Sequence, residues 1–434
     1  MNVAVIALGK IGLPLAVQIA SKGHQVRGAD ISEPIVETVN RGEVPFPGEA
    51  DLDTKLAAVV RDKSLVAMTN TTQAVAEAEA VVVVVPLMTD GAGNPDFRPM
   101  DAATKDIAAG LKPGTLVSYE TTLPVGTTRG RFQAMLEELT GMTAGTDFYL
   151  VHSPERVFSG RIFSDLRRYP KLVGGVDDES TRQGVEFYEA VLDFDERPDL
   201  ERGNGVWAMA SAESAEMAKL AETTYRDVNI ALANEFARFS EQVGIDVSEV
   251  IAASNSQPFS HIHRAGVAVG GHCIPVYPRF YLAGDPGARL VETARDVNES
   301  VPARVVATVG ENLGGLDGAT VLILGVSYRG GVKETAYSGA FSLLRVLEEA
   351  GSKVLADDPL YSPEELRRLG FNPWGGEQVD AIIVQADHAR YRELGSGDFA
   401  GVKVVFDGRG ILDRRLWSDA GLKFTAIGQG LTAR

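Results

Sequence analysis

Cysteine is almost absent: Cys273 stands alone among 434 residues. One thiol excludes an internal disulfide framework and is consistent with a cytoplasmic location. Long hydrophobic runs are missing too. The five consecutive valines Val81 to Val85 fall far short of the roughly 20 apolar residues a membrane span needs. They read as a buried parallel strand. The N-terminal run MNVAVIALGKIGLPLAVQIA has no basic residue before its apolar stretch and is interrupted by Lys10, which argues against a secretory leader. Positive charge is scarce: 42 Lys and Arg against 59 Asp and Glu leave a net charge of −17. That balance argues against nucleic acid or an anionic membrane as partner. An anionic ligand must be held by locally placed basic side chains and backbone amides. No low-complexity segment and no short repeat is present.

What is there is the composition of an α/β enzyme, 44% hydrophobic with 46 glycines, in a chain long enough for two or three domains. Strand and helix signals alternate from the start. Asn2 to Ala7 is a β-branched run, Leu13 to Ser21 reads as a helix stopped by Gly23, and Gln25 to Gly28 is a strand ending at Asp30. Further strands are expected at Val81 to Val85, Thr115 to Tyr119 and Tyr149 to His152, giving a parallel sheet covered on both faces. From Ser211 to Val243 there is no Gly or Pro, and Met217, Leu220, Val228, Ala231, Phe236 and Phe239 recur at near-helical spacing. This is one long helix, stopped by Gly244, of the kind that lies between domains or at a subunit interface. After Pro302 the α/β rhythm resumes, with strands at Ala319 to Leu324, Lys353 to Ala356, Ala381 to Val384 and Val402 to Phe406.

The run Ala7-Leu8-Gly9-Lys10-Ile11-Gly12 lies where a strand turns into a helix. Gly9 would let a pyrophosphate approach the backbone, Gly12 would allow close helix–strand packing, and the helix start supplies amides and a positive dipole end. Asp30 follows at the distance expected of a ribose-binding acid, and a carboxylate there repels a ribose phosphate, so NAD is favoured over NADP. The fingerprint is imperfect, because Ala7 replaces its first glycine.

Gly270-Gly271-His272-Cys273 sets the lone thiol behind two glycines, which let a backbone approach a substrate closely. A lone cysteine is commonly a small buried hydrophobe, but a thiol also traps an aldehyde near neutral pH. His261, His263, His272 and Cys273 do not follow a recognised zinc spacing, so no metal is expected.

Taken together, ALGKIGLP, VVVVVP, ETTLPVGTT, HSPERVFSG, PKLVGG, AEMAKLAETTYRDVNIALANE, VAVGGHCIPVYP, ARDVN, LGVSYRGGVKET and DGRG resemble, in order and spacing, the UDP-glucose/GDP-mannose dehydrogenase family of nucleotide-sugar 6-dehydrogenases. The resemblance implies an α/β fold in three parts: an N-terminal Rossmann NAD-binding domain (1–200), a central helical dimerisation domain (201–302) and a C-terminal Rossmann-like UDP-binding domain (303–434). It implies a homodimer that oxidises the primary alcohol of a UDP-sugar to a carboxylate with two NAD. Residue by residue, Cys273 matches the family nucleophile and Lys219 the lysine that stabilises the thiohemiacetal oxygen. Glu155 matches the general base of thioester hydrolysis, and Thr122 the threonine that holds a water at the hydride-transfer site. Gly9, Lys10, Ile11, Gly12, Asp30, Pro86 and Thr122 fall on the cofactor side. Arg264, Gly270, Gly271, Tyr328, Arg329 and Arg409 fall on the substrate side.

Three positions depart from the family pattern: Thr223 replaces an asparagine, Tyr277 an aspartate and Ala336 an arginine. Thr223 keeps a hydrogen-bonding group one helical turn from Lys219. Tyr277 keeps only a phenol, a poor carboxylate substitute near neutral pH. The HC pair, Ser159 and the RDVNIALANE run resemble the UDP-N-acetylhexosamine branch, with UDP-N-acetylmannosamine favoured over UDP-glucose. Two alternatives stay open: a two-electron enzyme that releases the aldehyde, and a non-catalytic nucleotide-sugar-binding protein.

Overall fold

The β-branched run that opens the chain is β1 (Asn2–Ile6), and it sits near the middle of a parallel sheet. In this computed structural model, residues 1–90 and 93–430 are described. They divide into two units, Met1–Glu222 with Arg279–Gly284, and Thr223–Pro278 with Asp285–Arg434.

The first unit adds β2 (Gln25–Ala29), β3 (Leu65–Met68), β4 (Ala80–Val83), β5 (Met88–Thr89), β6 (Pro95–Asp96), β7 (Leu116–Tyr119), β8 (Tyr149–His152), β9 (Lys171–Gly175) and β10 (Val206–Ala208). The sheet order is β10-β9-β8-β7-β4-β1-β2-β3, with β5 and β6 a separate antiparallel pair. Pairings in the large sheet are parallel except β8 with β9. Val81, Val82 and Val83 are fully buried in β4. β4 pairs with β1 and β7 inside the sheet, and side chains on both faces of a covered parallel sheet are buried, which is why the run does not alternate. Leu13, Leu15, Val17 and Ile19 of the helix Gly12–Ser21 join β1 and β4 side chains in one core.

The second unit is built on β11 (Thr320–Leu324), β12 (Lys353–Asp357), β13 (Ala381–Val384), β14 (Val404–Asp407) and β15 (Lys423–Ala426), all parallel in the order β12-β11-β13-β14-β15. Ser362 closes a capping box with Glu365, and Pro363 sits in the first turn of the helix Pro363–Arg368. The helix Arg289–Leu313 runs on through Pro302, so the expected 302/303 division falls inside a helix. The buried ion pair Arg295–Asp227, at 2.7 Å, and hydrogen bonds from Asn298 to Asp227 fasten that helix.

The long helix spans Ala212–Val243, 32 residues, and Gly244 ends it at φ +75°. Its apolar residues divide between two faces. Leu220, Ala231, Ala233 and Ala237 are buried. Tyr225, Leu232, Phe236, Phe239 and Val243 are exposed by 36–57%, at successive spacings of seven, four, three and four residues that keep them on one stripe.

Candidate active site

The sequence-expected residues fall into two sets, one on each unit. On the first, the strand order reverses between β1 and β4, and the loops leaving their carboxyl ends form the crevice where such sheets bind dinucleotides. Ala7 takes φ +75°, the left-handed conformation a fingerprint glycine would supply. A Cβ on Gly12 would lie 1.9 Å from the Ala7 carbonyl oxygen, so only glycine allows this helix–strand approach. A Cβ on Gly9 would meet nothing within 4 Å, so Gly9 leaves room for a ligand rather than for packing. Lys10 is exposed beside it and Ile11 begins the helix Gly12–Ser21, whose first turn carries no acid and no side-chain cap. The Leu13 N–H is bonded to the Gly9 carbonyl at 3.0 Å, and no carboxylate competes for this helix start. Asp30, just past β2, accepts from the Leu8 N–H at 2.8 Å and the Ser32 N–H at 2.9 Å. Pro86 is exposed past the end of β4, and Thr122 is buried past the end of β7.

Glu155 follows β8, where the backbone is tied to the end of β7 by Ser153 N–H to the Tyr119 carbonyl and Glu155 N–H to the Glu120 carbonyl. Its surface is partly accessible, yet protein surrounds the carboxyl on most sides. Burial pushes its pKa up to about 7, against the opposing pull of Lys219 and the Val157 N–H. Lys219 is itself buried in the long helix. One turn earlier, buried Glu216 accepts from the N–H groups of Gly126 and Thr128 and from the Thr128 hydroxyl, which fastens the helix to that loop.

On the second unit, the carbonyl of Cys273 accepts from the N–H groups of Val276 and Tyr277 at the start of the helix Tyr277–Gly284, and its thiol is partly accessible. Gly271, at φ +91°, donates to the Ala336 carbonyl. A Cβ on Gly270 would come within 2.7 Å of the Tyr328 Cβ, and one on Gly271 within 3.2 Å of its ring. The two glycines thus let the cysteine loop press against the loop leaving β11. Arg409, past β14, donates to the carbonyls of Gln385 and Tyr328, and Arg329 donates to the Tyr328 hydroxyl. Loops from β11, β13 and β14 converge here, at the switch point of the 2-1-3-4-5 order. Arg264 is exposed two residues before Gly266, where a Cβ would lie 2.9 Å from an Arg409 nitrogen. Thr223 is buried. His272 faces Glu334 at 3.2 Å.

Three family models cover these two sets. The UDP-glucose/GDP-mannose dehydrogenase NAD binding domain matches residues 1–192, the central domain 213–300 and the UDP binding domain 322–414. The chain belongs to the UDP-glucose/GDP-mannose dehydrogenase family. A UDP-N-acetyl-D-mannosamine dehydrogenase of Pyrococcus horikoshii is 33% identical over 442 residues, covering 99% of this chain and 100% of that one. An NDP-N-acetyl-D-galactosaminuronic acid dehydrogenase of Ralstonia solanacearum is 31% identical, covering 94% of this chain and 96% of that one. The solved structure of UDP-D-ManNAc dehydrogenase from Pyrococcus horikoshii superposes with a TM-score of 0.88 at 31% identity, over 99% of each chain. As a member of this dehydrogenase family the protein is an NAD-dependent oxidoreductase acting on a nucleotide sugar, with a C-terminal domain that binds the UDP part. The open space at Gly9, the uncapped helix start and the Asp30 carboxylate fit NAD.

Sequence reasoning passed over Glu120, Lys171 and Glu216. Each stood inside a quoted motif, but nothing local marks a carboxylate or ammonium that will be buried. No helix among the described residues is long and apolar enough to cross a membrane.

Proposed function

We propose that this dehydrogenase oxidises a UDP-N-acetylhexosamine, UDP-N-acetyl-D-mannosamine first, to its uronate in two successive two-electron steps. The supporting observation is Glu155: a carboxyl raised to about 7 beside Lys219 is matched to general-base work near neutral pH. NAD, when bound, accepts the hydride of each oxidation. The primary alcohol first loses a hydride and a proton to become an aldehyde. The Cys273 sulfur then adds to the aldehyde carbon, and Lys219 stabilises the developing oxyanion. Loss of a second hydride and a proton from this thiohemiacetal leaves a thioester. Glu155 takes a proton from water, which attacks the thioester carbon; the C–S bond breaks, releasing the uronate and regenerating the thiol. Thr122 holds water at the hydride-transfer position, and Thr223 supports Lys219 from the next turn.

Gly270, Gly271, Tyr328, Arg329, Arg409 and Arg264 form the proposed grip on the UDP part. The relatives named for N-acetylated sugars, and His272 and Ser159 in place of the glucose-branch residues, support the choice of sugar. The exposed stripe on the long helix supports a homodimer, and the single cysteine a cytoplasmic setting. The test is NADH formed per sugar consumed over a panel of UDP-sugars, with product masses. Two NADH and a uronate from UDP-N-acetylmannosamine are expected; one NADH and a released aldehyde would replace this reading with the two-electron one. Cys273→Ser is expected to end uronate formation while NAD and UDP-sugar still bind.

A further inference from the structure

Behind Glu155 lies a buried ion pair outside the residues just assigned. Lys171, in β9, places its ammonium 2.6 Å from Glu120 Oε2, with the two side chains 7% and 1% exposed. The other Glu120 oxygen accepts from the Tyr188 hydroxyl at 2.6 Å, and that hydroxyl also meets Ser118 Oγ at 2.7 Å. Burying two charges costs several kcal/mol per ion before their attraction repays it, so such a pair is weak as a device for stability alone.

Its position is informative. The Lys171 ammonium also donates to the Ser153 carbonyl at 3.3 Å, and Glu120 supplies the carbonyl that receives the Glu155 N–H at 3.1 Å. The pair therefore clamps the segment Ser153–Glu155 from both sides. Lys171 and Glu155 also line one cavity of about 20 Å³, together with Arg156, Asp165 and Tyr169.

We propose that Lys171, held by Glu120, is a positioning residue for Glu155, fixing its backbone through the Ser153 carbonyl and setting an ammonium group near its carboxyl. This rests on the reading of Glu155 as the base of thioester hydrolysis. The charges acting on that carboxyl are Lys219 and Lys171, which favour its ionised form, and Glu120, which opposes it. Arg156, on the same cavity, is engaged by Glu222 at 2.9 Å, and Asp165 by Arg161 at 3.1 Å. Removing Lys171 leaves Glu120 buried and unopposed, so both changes shift Glu155 towards its neutral, inactive form.

The test is the rate of uronate release in single turnover of the intact enzyme, between pH 5.5 and 9, for the parent, Lys171→Met, Lys171→Arg and Glu155→Gln. In Lys171→Met the acidic limb is expected to move up by about one pH unit, from about 7, which is about fivefold slower release at pH 7 and approaches tenfold at lower pH. The first hydride transfer and the KM for the UDP-sugar should stay within about twofold. Lys171→Arg should restore the parent limb. An unmoved limb in Lys171→Met, or an equal loss in both oxidation and release, would overturn the proposal. If Lys171→Met does not fold, the double variant Lys171→Met with Glu120→Gln removes both buried charges. It should show a smaller upward shift, and no shift would again overturn the proposal. Glu155→Gln should abolish the limb; a retained limb there would instead remove Glu155 from the mechanism.

Discussion

Glu155 shows how one side chain links stability to catalysis. A free glutamate would be ionised well below neutrality, but burial lifts this one to about 7. The folded state therefore binds a proton that the unfolded state releases between about pH 4.5 and 7, and stability falls as pH rises through that window. Glu155→Gln removes the titration, so the variant should be more stable than the parent at pH 8, by up to about 3 kcal/mol, with the advantage gone near pH 4.5. Thermal melting at both pH values checks this. An equal difference at the two would mean that the carboxyl ionises normally. The same variant should carry a sugar thioester on Cys273, visible in the intact-protein mass.

At the scale of an element, the first strand–turn–helix depends on two small residues used in opposite ways. Ala7 tolerates a left-handed backbone that costs an L-residue about 1–2 kcal/mol, whereas Gly12 tolerates no side chain, with the Ala7 oxygen 1.9 Å from where its Cβ would stand. Gly12→Ala must push the helix off the strand, which moves the N–H groups proposed to hold the pyrophosphate. We expect a loss of about 2 kcal/mol or more in stability and at least tenfold weaker NAD binding by calorimetry. Parent-like affinity would mean that the helix start does not hold the cofactor. The long helix is anchored differently: Glu216 fastens it to Gly126 and Thr128, and Lys219 stands on the following turn.

For the whole molecule, the open question is assembly. Five large apolar side chains, Tyr225, Leu232, Phe236, Phe239 and Val243, stand exposed along one stripe of the helix Ala212–Val243. Contiguous apolar patches on a protein surface mark interaction sites, and a stripe repeated on one helix suits a second copy of itself. Phe239→Glu, at the most exposed of the five, should convert a dimer to a monomer in sedimentation velocity without loss of NAD binding. A monomeric parent would end the dimer proposal, and a variant that stays dimeric would place the interface elsewhere.

Much of this was legible in the linear sequence, because the signals concerned are local. A β-branched run, a glycine where a turn must close and the unbroken helical stretch before Gly244 each act within a few residues. Their elements lie within a residue or two of the positions expected, with Ala381–Val384 identical. Pro302 lies inside the helix Arg289–Leu313, where Val301, Val305 and Val309 pack in the core. Only tertiary structure decided which of the long helix's apolar residues are core and which are surface, since near-helical spacing marks both faces alike. It also decided the charges. Glu120 and Lys171 are 51 residues apart in sequence, and the ionisation of Glu155 depends on neighbours from β7, β9 and the long helix. Solvation and Coulomb energies depend on distance in space, and a linear sequence carries distance only along the chain.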